Sequence, residues 1–317
     1  MTGTRTDPDS GTPPDPPGDT TSHAPVGRVW PTALWLVLLA AFQALGLVLV
    51  YRAFVLTPTG QWLESASLAG NVTGYRRIEG TVSLVLDLIS IAVIAGAIAV
   101  VGFIAIIRRR LLLALVAIIM VAGSNLTTQL LKHQVLGRPS FLDEFARPDH
   151  PSLPSGHTTV AMSIAVGLVL VLPPRTRALI AVPGAAYGAL VGVATLSAGW
   201  HRASDVVAAY LVVGIWAALC GLALLAYRRR RQAAGPAPWS VTTALVFCGL
   251  LLVGFGMAAL FWLYEDAGGS VLELGQRPLF VAYAGAAAGI TGVAASVMGG
   301  TLGGLHGVLP GKQQPRR

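Results

Sequence analysis

Long apolar runs, broken only at intervals by charge, decide what this chain can become. The first, Trp30 to Val55, carries a single charged residue, Arg52. About 20 such residues cross the hydrocarbon core of a bilayer. Inside that layer every backbone N–H and C=O must find a partner within the protein, so helices or a closed barrel are the only spanning solutions. A barrel needs short segments that alternate apolar and polar, and these runs do not alternate. The predicted fold is therefore all-α, a polytopic membrane bundle. Its spans fall at about 30–54, 83–107, 111–131, 157–173, 178–198, 204–227, 241–264 and 279–305. Composition agrees: 11% of residues are charged and the mean hydropathy is +0.68, whereas soluble domains carry about 25% charged residues.

The charges that remain are ordered. Residues 1–28, rich in Pro, Asp, Thr and Gly, read as a disordered cytoplasmic tail. A six-helix core follows over 29–227, then a basic cytoplasmic linker at 228–240, an additional transmembrane hairpin at 241–305 and a tail at 306–317. The first run is too long for a signal-peptide core and reads as a retained anchor. With the N-terminus in the cytoplasm, Arg108–Arg110, Arg175 and Arg177, Arg228–Arg231 and the terminal Lys312, Arg316 and Arg317 all fall inside, as the positive-inside rule asks. The net charge of +8 is thereby explained without nucleic acid as a partner. Cys220 and Cys248 lie within apolar runs and read as small hydrophobes.

The same topology sends the loops 55–82, 132–156, 199–203 and 265–278 to the outer face of the cell membrane. Two of them hold the chemistry. Pro154-Ser155-Gly156-His157 opens the fourth span, where free N–H groups and the helix dipole favour an anion. His201 and Asp205 stand four apart at the start of the sixth span, on one helix face. Lys132 and Arg138 precede the first string. Cations to hold oxygens, one imidazole to attack and another to protonate a leaving group make a phosphate-removing set. Taken singly, each feature has a plainer reading: the His–Asp pair can tie a helix end, His157 can cap, and Lys132 can snorkel.

Taken together, the motifs make the chain resemble the type 2 phosphatidic acid phosphatases, a superfamily shared with the vanadium haloperoxidases. The pattern of that family is K-x6-R-P, then P-S-G-H, then S-R-x5-H-x3-D. Here the first motif runs from Lys132 to Arg138-Pro139 with five intervening residues, the second is complete, and the third retains His201 and Asp205. Ala194 and Thr195 stand where the family has Ser-Arg, so one phosphate clamp is missing; Arg202 is a substitute candidate. The resemblance covers about 83–227.

It implies His201 as nucleophile, His157 as general acid and Asp205 as the residue that orients His201. Lys132, Arg138, Ser155 and the Gly156 amide are the implied phosphate ligands. Asn125 near the end of the third span, Asp87 within the second and Arg202 form a candidate outer layer. Asp149, His133 and His150 read as solvated loop residues. Gly285 and Gly289, and Gly300 and Gly304, have the spacing of close helix packing or dimerisation. No zinc, Walker or dinucleotide pattern is present, so neither metal nor cofactor is expected. The expected activity is hydrolysis of a lipid phosphate or pyrophosphate through a phosphohistidine. The partners are then the lipid substrate, membrane lipids and, by the glycine pairs, a second copy of the chain. Two alternatives stand beside it: a weakly active or non-catalytic protein that binds or moves lipid phosphates, and a lipid phosphotransferase.

Overall fold

The computed structural model describes residues 29–71, 102–103, 111–141, 152–227, 239–265, 270–306 and 308. The predicted N-terminal tail, the span at 83–107 with Asp87, the triplet Arg108–Arg110, Asp149 and His150, and most of the linker at 228–240 lie outside them. Among the described residues the protein is all helix, with eight α-helices. We number them α1 (Val29–Val50), α2 (Pro58–Ala69), α3 (Leu111–Leu130), α4 (Gly156–Val171), α5 (Pro174–Ser197), α6 (Ala203–Tyr227), α7 (Trp239–Tyr264) and α8 (Gln276–His306). A π-helical turn extends α1 over Tyr51–Val55, another extends α3 over Leu131–Val135, and a 3-10 turn at Val271–Glu273 leads into α8.

Among the described residues, six segments are long and apolar enough to cross a membrane: Trp30–Val55, Leu111–Val135, Thr176–Ser197, Ala203–Tyr227, Trp239–Tyr264 and Gln276–His306. Each overlaps a run expected from the sequence. α4 is the exception in length. Its 16 residues rise only ~24 Å at 1.5 Å per residue, short of a hydrocarbon core ~30 Å thick.

α3, α4, α5, α6 and α8 share one apolar core. Met120, Met162, Leu170, Tyr210, Ile290, Met298 and Leu302 are fully buried in it. Tyr210, in mid-helix, donates its hydroxyl to Gly188 O at 2.7 Å, so its one polar atom is satisfied. α8 is thus woven into the core, against α5 and α6 as well as α7. α1 adds Leu36 to this core, and α1 and α7 form the outer faces. They expose Leu34, Phe42, Leu49, Phe247, Leu250 and Phe255, a surface suited to hydrocarbon and costly in water.

Small residues set the helix spacing. A Cβ on Gly292 of α8 would fall 2.5 Å from Gly249 O of α7, and one on Gly256 2.6 Å from Gly285 O. Gly300 and Gly304 seat Leu39 and Leu36 of α1 in the same way. The expectation of close packing is met at Gly285, Gly300 and Gly304 by contacts within one chain. Gly289 differs, for a Cβ there would meet nothing within 4 Å.

One expectation needs correction. The stretch 55–82 reads as a loop in the sequence, but residues 58–69 form α2. Thr57 caps it by accepting from Gly60 N–H at 3.0 Å, and Pro58 takes the first turn, where its missing N–H costs nothing. Trp62, Leu63 and Ala66 then bury against Leu263, Val271 and Ala282, which lays α2 across the end of the α7–α8 hairpin.

Candidate active site

The site lies at the end of the bundle where α2 packs, and backbone hydrogen bonds build it. Ser155, fully buried, donates its N–H to Asp205 O at 2.9 Å, which joins the start of α4 to the first turn of α6. Its hydroxyl accepts from Thr158 N–H at 3.4 Å and from Thr158 Oγ1 at 3.0 Å, so it serves as the helix cap. Thr159 Oγ1 donates to Ser155 O at 2.8 Å and pairs with Thr128 Oγ1 of α3 at 3.0 Å. A Cβ on Gly156 would have Gln129 Nε2 as its nearest neighbour, at 3.7 Å. His157 follows in the first turn of α4 and stands exposed.

His201 reaches the same place from α5. The chain turns at Gly199, whose φ of +68° is left-handed backbone that favours glycine. Trp200 and His201 then both donate their N–H groups to Thr195 O, at 3.0 and 3.3 Å. The imidazole is 9% exposed. Its Nδ1 lies 3.3 Å from Asp205 Oδ2, and Arg202 N–H donates to that same oxygen at 3.1 Å. Asp205, fully buried, therefore both caps α6 at its positive end and backs the histidine. The His157 and His201 ring centroids are 6.2 Å apart, and the Trp200 ring lies 5.5 Å from that of His157. The field of Lys132 reaches His157; Lys132 itself sits half-buried in the π turn after α3.

Arg138 completes the cluster. Its Nη1 donates to Ser152 Oγ at 3.2 Å and lies 3.7 Å from Asp205 Oδ1. Its Nη2 is paired with Glu64 Oε2. Glu64 belongs to α2, is 2% exposed, and also accepts Ser204 N–H on Oε1 at 3.0 Å. Burial pushes its carboxyl above the ordinary range, a tendency Asp205 reinforces and Arg138 opposes. Sequence reasoning misses Glu64 because its segment passes for a loop. The signal is there all the same: a Thr57-Pro58 cap followed by Gln61 and Glu64 three apart, on one face of a helix.

The other expected residues are placed as follows. Arg202 lies close enough for its charge to bear on Glu64. Asn125 donates to Val121 O at 2.8 Å and to Ser163 Oγ at 3.4 Å; its amide bonds α3 to α4 and does not serve the two histidines. Thr195, at the position of the family arginine, is fully buried and donates its hydroxyl to Gly192 O at 2.8 Å. Two imidazoles, a buried carboxylate behind one of them and the Arg138 guanidinium thus come together at one end of the bundle.

Fold and site together define a polytopic helical membrane protein with two histidines, a buried carboxylate and an arginine gathered at the end of its bundle. Residues 110–230 match the family described as the PAP2 superfamily. The segment begins with α3 and closes just after α6; it leaves out α1, α2, α7 and α8. Members of this superfamily are generally phosphatases. Neither the curated proteins nor the solved structures contain a match to this chain.

Proposed function

We propose that the protein hydrolyses the phosphate or pyrophosphate monoester of a membrane lipid, on the outer face of the cell membrane. One observation carries the reading: Asp205 engages Nδ1 of His201 and so reserves Nε2, with its lone pair, for attack. His201 Nε2 forms a bond to phosphorus as the bond from phosphorus to the lipid oxygen breaks. His157 gives a proton to that oxygen. Asp205 stabilises the positive charge that grows on His201. Water then attacks the phosphohistidine, His157 takes its proton, and inorganic phosphate leaves with His201 restored. Lys132, Arg138 and the Gly156 amide hold the oxygens. A membrane-embedded site selects a lipid: the phosphate is presented at the surface while its chain stays in the bilayer.

A second reading, lipid-phosphate binding with little turnover, draws on Thr195. That side chain is buried and bonded to its own helix, so it supplies no clamp where the family has an arginine. Phosphate release from a short-chain phosphatidate or a prenyl pyrophosphate, measured on the full chain in detergent against His201→Ala, decides between them. We expect release that His201→Ala abolishes. Equal background rates for both proteins favour binding, and release that requires an added lipid alcohol favours phosphotransfer.

A further inference from the structure

Arg138 lies in a stretch without regular structure, Leu136–Phe141, and a phosphate clamp on such a segment has to be aimed by something else. What holds it is the segment from the end of α1 to α2, outside the family match. Tyr51 Oη donates to Gly137 O at 2.8 Å. Gln61 Nε2 donates to Pro139 O at 2.6 Å, and Gln61 Oε1 accepts Phe141 N–H at 3.3 Å. One turn further along the same face of α2, Glu64 grips the guanidinium. Through its other oxygen Glu64 holds Ser204 N–H at 3.0 Å, in the first turn of the helix that carries Asp205. A single buried carboxylate thus spans the two parts of the site that must keep register, the arginine and the His201–Asp205 pair.

We propose that Glu64 is a positioning residue for phosphate capture, fixing the Arg138 guanidinium relative to His201 and Asp205. The inference rests on the phosphatase reading of the same site. With Glu64 neutralised, the only carboxylate left to Arg138 among the described residues is Asp205, 3.7 Å away, and the arginine turns from the phosphate toward it. The charge of Glu64 acts on phosphate capture through Arg138, since a glutamine keeps an oxygen for Ser204 N–H. Without that cation the carboxylate has no guanidinium to aim, so exchanging it for glutamine removes nothing from phosphate capture.

The test is a double-mutant cycle with orthovanadate, a tetrahedral phosphate analogue, on the full chain in detergent. Glu64→Gln should raise the vanadate inhibition constant and KM about tenfold, the scale of one charge-assisted hydrogen bond, with a smaller change in kcat. In an Arg138→Ala background the same change should be nearly silent. Equal losses in both backgrounds mean a merely structural Glu64 and overturn the proposal. Tighter vanadate binding by Glu64→Gln overturns it too, for then the carboxylate only competes with the anion. Should Glu64→Gln fail to fold, Gln61→Ala loosens the same stretch without disturbing a buried charge. Its vanadate affinity should fall in an Arg138-dependent way, and an unchanged value overturns the proposal. Vanadate binding by calorimetry reads the cycle even where wild type and His201→Ala show equal turnover, so failure of the phosphatase reading and of this one are distinguishable.

Discussion

Asp205 divides its two carboxylate oxygens. Oδ2 takes His201 Nδ1 and Arg202 N–H, while Oδ1 faces Arg138 at 3.7 Å. Asp205→Asn keeps the shape, removes the charge that steadies an imidazolium, and can present an N–H to His201 instead of an acceptor. We expect kcat to fall by about 10²–10⁴, the range for a mis-oriented catalytic histidine, with KM little changed; steady-state kinetics on the purified variant checks this. His201 and Asp205 are legible from the sequence because an i,i+4 pair stays a pair wherever the helix goes. Glu64 is not, because its partners are 74 and 140 residues away and only the folded chain brings them near. Asn125 shows the reverse. Its position points toward Lys132, but its amide is used to bond α3 to α4.

Glycine separates two kinds of element design. At Gly199 the turn that delivers His201 needs left-handed backbone. Gly199→Ala should destabilise the protein by about 1–2 kcal/mol and depress kcat together with the melting temperature, because Trp200 and His201 take their register from this turn. In the α7–α8 pair the issue is room. Gly292→Ala sets a methyl 2.5 Å from Gly249 O and should lower the melting temperature in detergent. Gly289→Ala meets open space and should raise it slightly, by the helix preference for alanine of about 0.5–1 kcal/mol, with turnover unchanged. That space is an apolar cavity of about 150 Å³ bounded by Ser204, Val207, Met257 and Gly289, among others. It adjoins Ala203, Ser204 and Val207 of α6, whereas Asp205 lies on nearly the opposite side of that helix at ~100° per residue. Filling it should therefore spare the chemistry. The spans are legible because membrane helices are written as unbroken apolar runs. α2 is not, since a short helix lying over the bundle end needs only a few apolar contacts and carries Gln61, Glu64 and two serines.

At the scale of the whole molecule, the stretch that matches the family and the stretch that folds differ in extent. The match closes at residue 230, yet Ile290, Ala294, Met298 and Leu302 of α8 sit in the same core as Met162, Leu170 and Tyr210. A chain ending at residue 238 loses those side chains at once. Each large buried side chain removed from a core costs about 2–5 kcal/mol, so losing Ile290, Met298 and Leu302 together is on the scale of the whole ~5–15 kcal/mol stability of a typical domain. We expect such a truncation to aggregate on size exclusion, with no monodisperse peak in detergent. The sequence suggests the hairpin as an addition because the motifs lie elsewhere; nothing in a run of Ala, Gly and Val reveals which neighbour it will meet. For protein engineering the position of Glu64 sets a practical boundary. A graft of residues 110–230 onto a foreign scaffold carries His201 and His157 across, but leaves behind Glu64, the buried partner of Arg138. The transplant must begin no later than Tyr51.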